Sequence, residues 1–119
     1  MARILLAEDD EAMRRFLAGA LVRAGHTVDS VGDGLSAESA VNDKEYDLLI
    51  ADIVMPGIDG IELARRAGTA QPAIRVMFIT GFAAVALKAR ETAPRDARVL
   101  SKPFHLREIV AEIDRMLAA

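Results

Sequence analysis

Short, nearly unbroken apolar runs recur along this sequence, and a stretch with helical spacing follows each of them. The clearest are Ile4-Leu5-Leu6-Ala7, Leu48-Leu49-Ile50-Ala51 and Val76-Met77-Phe78-Ile79. A strand with no polar alternation has no side to offer to water, so both of its faces must be covered. Parallel sheets carrying helices on both faces meet that need. Residues 3–8 read as the first such strand, a short strand around 27–31 as the second, and Val99-Leu100-Ser101 as the last of five. Between them, 11–24 places Met13, Phe16, Leu17, Ala20 and Leu21 on one helical face, with Gly25 as its C-terminal cap. Gly32-Asp33-Gly34 is a turn opening a helix that runs to about Val41, and further helices are expected near 60–68 and, with weak periodicity, 83–92. From about 105, Leu106, Ile109, Val110, Ile113, Met116 and Leu117 form one continuous stripe. Right-handed crossovers then predict an α/β doubly wound five-stranded parallel sheet, flavodoxin-like, with strand order 2-1-3-4-5. One domain is expected to fill residues 1–119.

What ends these strands is chemically matched. Glu8 and Asp9 close the first, Asp52 the third, Thr80 the fourth and Lys102 the fifth. In this strand order ligands bind beyond the carboxyl ends, at the reversal between the first and third strands. Three carboxylates held close repel one another, and a hard divalent cation such as Mg²⁺ relieves that while keeping several waters. Asp52 is then placed to attack phosphorus, with Thr80 and Lys102 stabilising charge on the phosphoryl oxygens. Taken singly, each residue has a plainer reading. Acids after a strand often cap the next helix, and Asp10 or Glu11 is read as doing only that. A lone threonine is an ordinary strand-end hydroxyl, and a lone lysine an ordinary solvated charge. The joint arrangement favours the phosphoryl site.

Composition excludes several other classes. The chain has no cysteine, which removes disulfides and thiolate metal sites and points to a reducing, cytoplasmic setting. A net charge of −3 argues against a general nucleic-acid-binding surface. No apolar stretch approaches the roughly 20 residues of a membrane span, and Met1-Ala2-Arg3 leads straight into a strand with no room for a signal peptide. His26 and His105 lack metal spacing, the five methionines read as core filling, and Ser101 has no evident base beside it. The arginines of the first helix read as a solvated face that could help dock a partner.

Four motifs together resemble the response-regulator receiver domains of two-component signalling, along the whole chain. They are Ala7-Glu8-Asp9-Asp10, Asp52 with Met55-Pro56-Gly57-Ile58-Asp59-Gly60, Ile79-Thr80-Gly81, and Ser101-Lys102-Pro103-Phe104. The resemblance implies that Asp52 is the phosphoacceptor and that Glu8, Asp9, Asp52 and the backbone carbonyl of Val54 surround Mg²⁺, with Mn²⁺ as an alternative. It makes Thr80 the switch hydroxyl and Lys102 the phosphate-contacting lysine, and expects a cis Lys102–Pro103 bond. The implied reaction is transfer from a phosphohistidine donor to Asp52, followed by slow self-catalysed hydrolysis. The chain departs from the family at Val99, where a switch aromatic is usual, so a rotating ring is not the readout. The Ala-rich segment from Gly81 to Pro94 suggests a short or mobile fourth helix. Val54 and Phe82 are expected to put apolar groups at the rim and slow dephosphorylation.

Three functions are compatible with such a site: an interaction switch, a phosphorelay intermediate, and a Mg²⁺-dependent phosphatase with an aspartyl nucleophile. The last expects a second acid two residues after the nucleophile, where Val54 stands. Residues 75–87 and 99–107 further resemble the CpdR-type single-domain receivers, which act as adaptors for the ClpXP protease and are switched off by phosphorylation. The resemblance implies a sensor histidine kinase or histidine phosphotransferase upstream and the ClpX unfoldase as partner. No nucleic-acid or membrane partner is expected, and the chain is expected to be a monomer that is not a turnover enzyme. Phe82, Ala83, Val85 and Leu87 are the candidate docking residues.

Overall fold

In the computed structural model, residues 1–92 and 97–118 are described. Five strands alternate with five helices: β1 (Arg3–Ala7), α1 (Glu11–Arg23), β2 (Thr27–Val31), α2 (Gly34–Asp43), β3 (Leu48–Asp52), α3 (Gly60–Ala70), β4 (Arg75–Thr80), α4 (Ala83–Thr92), β5 (Arg98–Ser101) and α5 (Leu106–Ala118). All pairings are parallel and the order is β2-β1-β3-β4-β5, the flavodoxin-like order expected. Every residue of β3, at the centre, is buried, whereas β2, at one edge, has none that is fully buried.

Alternation along the pleat divides the strands between two cores. Ile4, Leu6, Leu48 and Ile50 face Leu17 and Leu21 of α1 and Ile109, Ile113 and Met116 of α5. Their neighbours Leu5, Ala7, Leu49 and Ala51 face Ala37 and Val41 of α2 and Leu63 and Ala67 of α3. A smaller cluster of Ile53, Phe78 and Ala89 seats α4. Three helices start on the same device. Asp10, Asp33 and Asp59 are N-caps whose carboxylates accept the amides of Met13, Ser36 and Glu62, which satisfies donors the helix itself leaves open. Gly25, just past α1, has φ +100°, a conformation that favours glycine.

The structure corrects some sequence expectations and keeps others. Phe16 is 53% exposed; it sits about 100° round the helix from Leu17, beyond the edge of the buried stripe. Met1 is also exposed, so methionine is not uniformly core, although Met55, Met77 and Met116 are buried. The fourth helix spans Ala83–Thr92, the range its weak periodicity suggested; the part of the Gly81–Pro94 segment beyond Thr92 lies outside the described residues. Val85 packs against the Phe78 cluster, so the exposed candidates on that side reduce to Phe82, Ala83 and Leu87. The Lys102–Pro103 bond is cis. No helix among the described residues is long and apolar enough to cross a membrane.

Candidate functional site

Strand register brings the chemistry together. Ala7 pairs with Ala51, Asp52 with Ile79, and Thr80 with Ser101. The residues at and just beyond these positions therefore leave the sheet side by side. Backbone bonds extend the order past the strands: the Glu8 amide donates to the Val31 carbonyl at 3.1 Å, and the Lys102 amide to the Thr80 carbonyl at 2.7 Å. Glu8 and Thr80 are completely buried and Asp52 nearly so, while Asp9 is exposed.

Carboxylate oxygens of Glu8, Asp9 and Asp52 lie within 4.8 Å of one another. The Lys102 ammonium reaches between two of them, 2.7 Å from Glu8 Oε1 and 3.0 Å from Asp52 Oδ2. The other oxygens of that pair take backbone donors: the Asp10 amide reaches Glu8 Oε2 at 3.1 Å and the Val54 amide reaches Asp52 Oδ1 at 3.2 Å. Burial pushes the Glu8 carboxyl up to about 7, against the opposing pull of its bond to Lys102. Burial works the other way on the Lys102 ammonium, but hydrogen bonds to Glu8 and Asp52 outweigh it and hold the lysine above its ordinary range. The site therefore keeps a proton-hungry acid beside a firmly charged ammonium. Thr80 ends the neighbouring strand, and its hydroxyl accepts the Phe82 amide at 3.2 Å. Val54 and Phe82 are 45% and 58% exposed at the loops following their strands.

Two features escaped the sequence reading. Arg14, on a helix face whose arginines read as solvated, is half-buried and donates Nη1 to the Glu8 carbonyl at 2.8 Å. A helical side chain leans toward the N-terminus of its helix, which could have directed attention from Arg14 back to the preceding turn. The second is the close approach of α3 to β3. A Cβ on Gly60 would stand 2.4 Å from the Asp52 carbonyl oxygen and 2.8 Å from the Ile53 Cα.

Residues 4–114 match the family model of the response regulator receiver domain. The chain belongs to that family. It is 59% identical over 119 residues to the response regulator receiver protein CpdR of Brucella abortus (strain 2308), covering 100% of this chain and 99% of that protein. It is 38% identical over 111 residues to the transcriptional regulatory protein TcrA of Mycobacterium tuberculosis (strain ATCC 25618 / H37Rv), there covering 93% of itself but 44% of the relative. Among solved structures, a response regulator receiver protein from Sinorhizobium medicae WSM419 superposes with a TM-score of 0.91 at 28% identity, over 98% of this chain and 94% of the other. The response regulator TrrA from Thermotoga maritima, in complex with Mg²⁺ and a beryllium fluoride, superposes at 0.86 with 26% identity, over 98% and 99%. Receivers are signalling switches rather than turnover enzymes. The receiver's cluster of Glu8, Asp9 and Asp52 is an acidic pocket of the kind at which receiver domains bind Mg²⁺, and its all-oxygen donor set suits that hard ion.

Proposed function

We propose that Asp52 of this receiver accepts a phosphoryl group from a phosphohistidine donor and that its phosphorylation controls the binding of a partner protein. The carrying observation is the Lys102 ammonium seated between Glu8 and Asp52, 2.7 and 3.0 Å away, at the ends of adjacent strands. An Asp52 oxygen attacks phosphorus, a P–O bond forms, the P–N bond breaks, and its electron pair returns to the imidazole. Lys102 then turns from the two carboxylates to the phosphoryl oxygens, and the Thr80 hydroxyl leaves the Phe82 amide for the same group. Glu8, Asp9, Asp52 and the Val54 carbonyl are the assigned metal ligands. Mg²⁺, or Mn²⁺ in its place, supplies positive charge to the pocket when bound. The donor is a histidine kinase or histidine phosphotransferase.

Identity of 59% along nearly the full length of Brucella CpdR supports the adaptor reading over the phosphorelay one. On that reading the single receiver domain is a cytoplasmic adaptor for the ClpXP protease, active when unphosphorylated. Purified ClpX is passed over immobilised wild type and Asp52→Ala, each with and without beryllofluoride and Mg²⁺. Retention by Asp52→Ala and untreated wild type, with release from beryllofluoride-loaded wild type, is the expected pattern. Equal binding in all four samples refutes control by Asp52. Retention in none refutes the adaptor assignment and leaves the relay reading.

A further inference from the structure

We propose that Arg14 is a positioning residue for the acid pair, its guanidinium occupying space that the missing side chain of Gly32 leaves open. This rests on the metal-site reading above. Arg14 and Arg15 are adjacent on α1 but behave differently. Arg15 is largely exposed and pairs with Glu11 one turn away at 2.7 Å, an ordinary surface ion pair. Arg14 is half-buried, and although Asp9, Asp10 and Glu11 are all close in sequence, its hydrogen bond goes to the neutral carbonyl of Glu8.

That bond completes the fixing of the Glu8 backbone. Its amide is held by the Val31 carbonyl of β2 and its carbonyl by Arg14 of α1. The Asp10 amide in turn holds the Glu8 carboxylate, so residues 8–10 form one restrained turn. The third wall is the β2–α2 turn. A Cβ on Gly32 would stand 3.0 Å from Arg14 Nη1 and 3.6 Å from its Cζ, so any side chain there contests the guanidinium's place. Restraint matters because three carboxylates within 4.8 Å repel one another. Lys102 bridges Glu8 and Asp52, whereas Asp9 is exposed and rides on the same short turn. Pinning the backbone on both sides of the Glu8 peptide keeps Asp9 aimed at its neighbours. Groups that orient metal-binding side chains without touching the ion commonly control affinity in this way.

Charge and position make opposite predictions, which allows a clean test. Removing a cation beside an acidic pocket strengthens Mg²⁺ binding, whereas releasing the turn weakens it. Gly32→Val displaces the guanidinium while keeping every charge. Mg²⁺ is titrated into ¹⁵N-labelled wild type, Arg14→Lys, Arg14→Met, Gly32→Val and Arg14→Met/Gly32→Val, following the amides of Asp9, Asp10 and Val54. Gly32→Val is expected to weaken Mg²⁺ binding by about tenfold in the wild-type background, and to have no further effect when Arg14 is already Met. Arg14→Lys, which keeps the charge but not the fork or the reach, is expected to be weakened as well. An unchanged affinity in Gly32→Val, or an equal loss in both backgrounds, overturns the assignment. Should Gly32→Val fail to fold, wild-type affinity in Arg14→Lys overturns it alone. A wild type that binds no Mg²⁺ overturns the metal-site reading itself, an outcome distinct from those.

Discussion

A carboxyl group held up at about 7 by burial makes this receiver's stability and its metal affinity depend on the same proton. In the unfolded chain Glu8 titrates near the ordinary glutamate value, so between roughly pH 4.5 and 7 the native state holds a proton that the unfolded state has lost. Stability from this group is complete below pH 4.5 and declines as pH rises toward 7. The rise to about 7 corresponds to on the order of 3 kcal/mol, from about 1.4 kcal/mol for each tenfold in acidity. For a domain of this size that is a fall in Tm of about 10 °C. Glu8→Gln removes the proton equilibrium while keeping the shape. Metal-free wild type and Glu8→Gln are unfolded with urea at intervals from pH 4.5 to 8. The stability difference between them is expected to change by about 3 kcal/mol across the window. Mg²⁺ competes with the Glu8 proton, so metal affinity is expected to fall about tenfold for each pH unit below 7. Parallel curves for the two proteins in metal-free buffer would falsify the assignment of a protonated, buried Glu8.

Other expectations follow from the same geometry. Lys102→Met leaves two buried carboxylates facing each other and is expected to cost about 3 kcal/mol at pH 8 without metal; urea unfolding with and without Mg²⁺ should show the loss partly restored by the ion. Thr80→Val strands the Phe82 amide and is expected to cost about 1–2 kcal/mol, with faster hydrogen exchange at that amide. An exchange rate equal to wild type there would refute the hydrogen bond. Val54→Asn replaces the half-exposed apolar group beside Asp52 and is expected to speed loss of phosphate, followed by ³¹P NMR; slower or equal decay in the variant contradicts a water-restricting role. Gly60→Ala drives a Cβ to 2.4 Å of the Asp52 carbonyl. It is expected to destabilise the fold by about 2 kcal/mol and to shift the Asp52 and Ile53 amide resonances.

Architecture was written locally, because a strand buried on both faces needs a continuous apolar run and an amphipathic helix needs a stripe. The runs at 4–7, 48–51 and 76–79 and the stripe from Leu106 to Leu117 carry those needs residue by residue. The strand-end chemistry was legible for the same reason: once strands are parallel, their carboxyl ends share one edge. Phe16 was misplaced because a helical stripe has soft borders, and only the packing of α5 on α1 decides where it stops. Arg14 was missed because its partner is a backbone carbonyl, which has no signature in sequence.

By itself, then, the amino-acid order determined the strand–helix alternation, the N-capping Asp10 and the set of residues that meet at one sheet edge. Only the tertiary structure decided that Lys102, 94 residues from Glu8, bridges it to Asp52, that Glu8 is fully buried and titrates near 7, that Arg14 bonds the Glu8 carbonyl, and that Gly60 lies against the Asp52 and Ile53 backbone. The physical reason is range. Helix and strand preferences depend on neighbours a few residues apart, whereas burial, ion pairing and steric contact depend on distances in space that the completed fold alone sets.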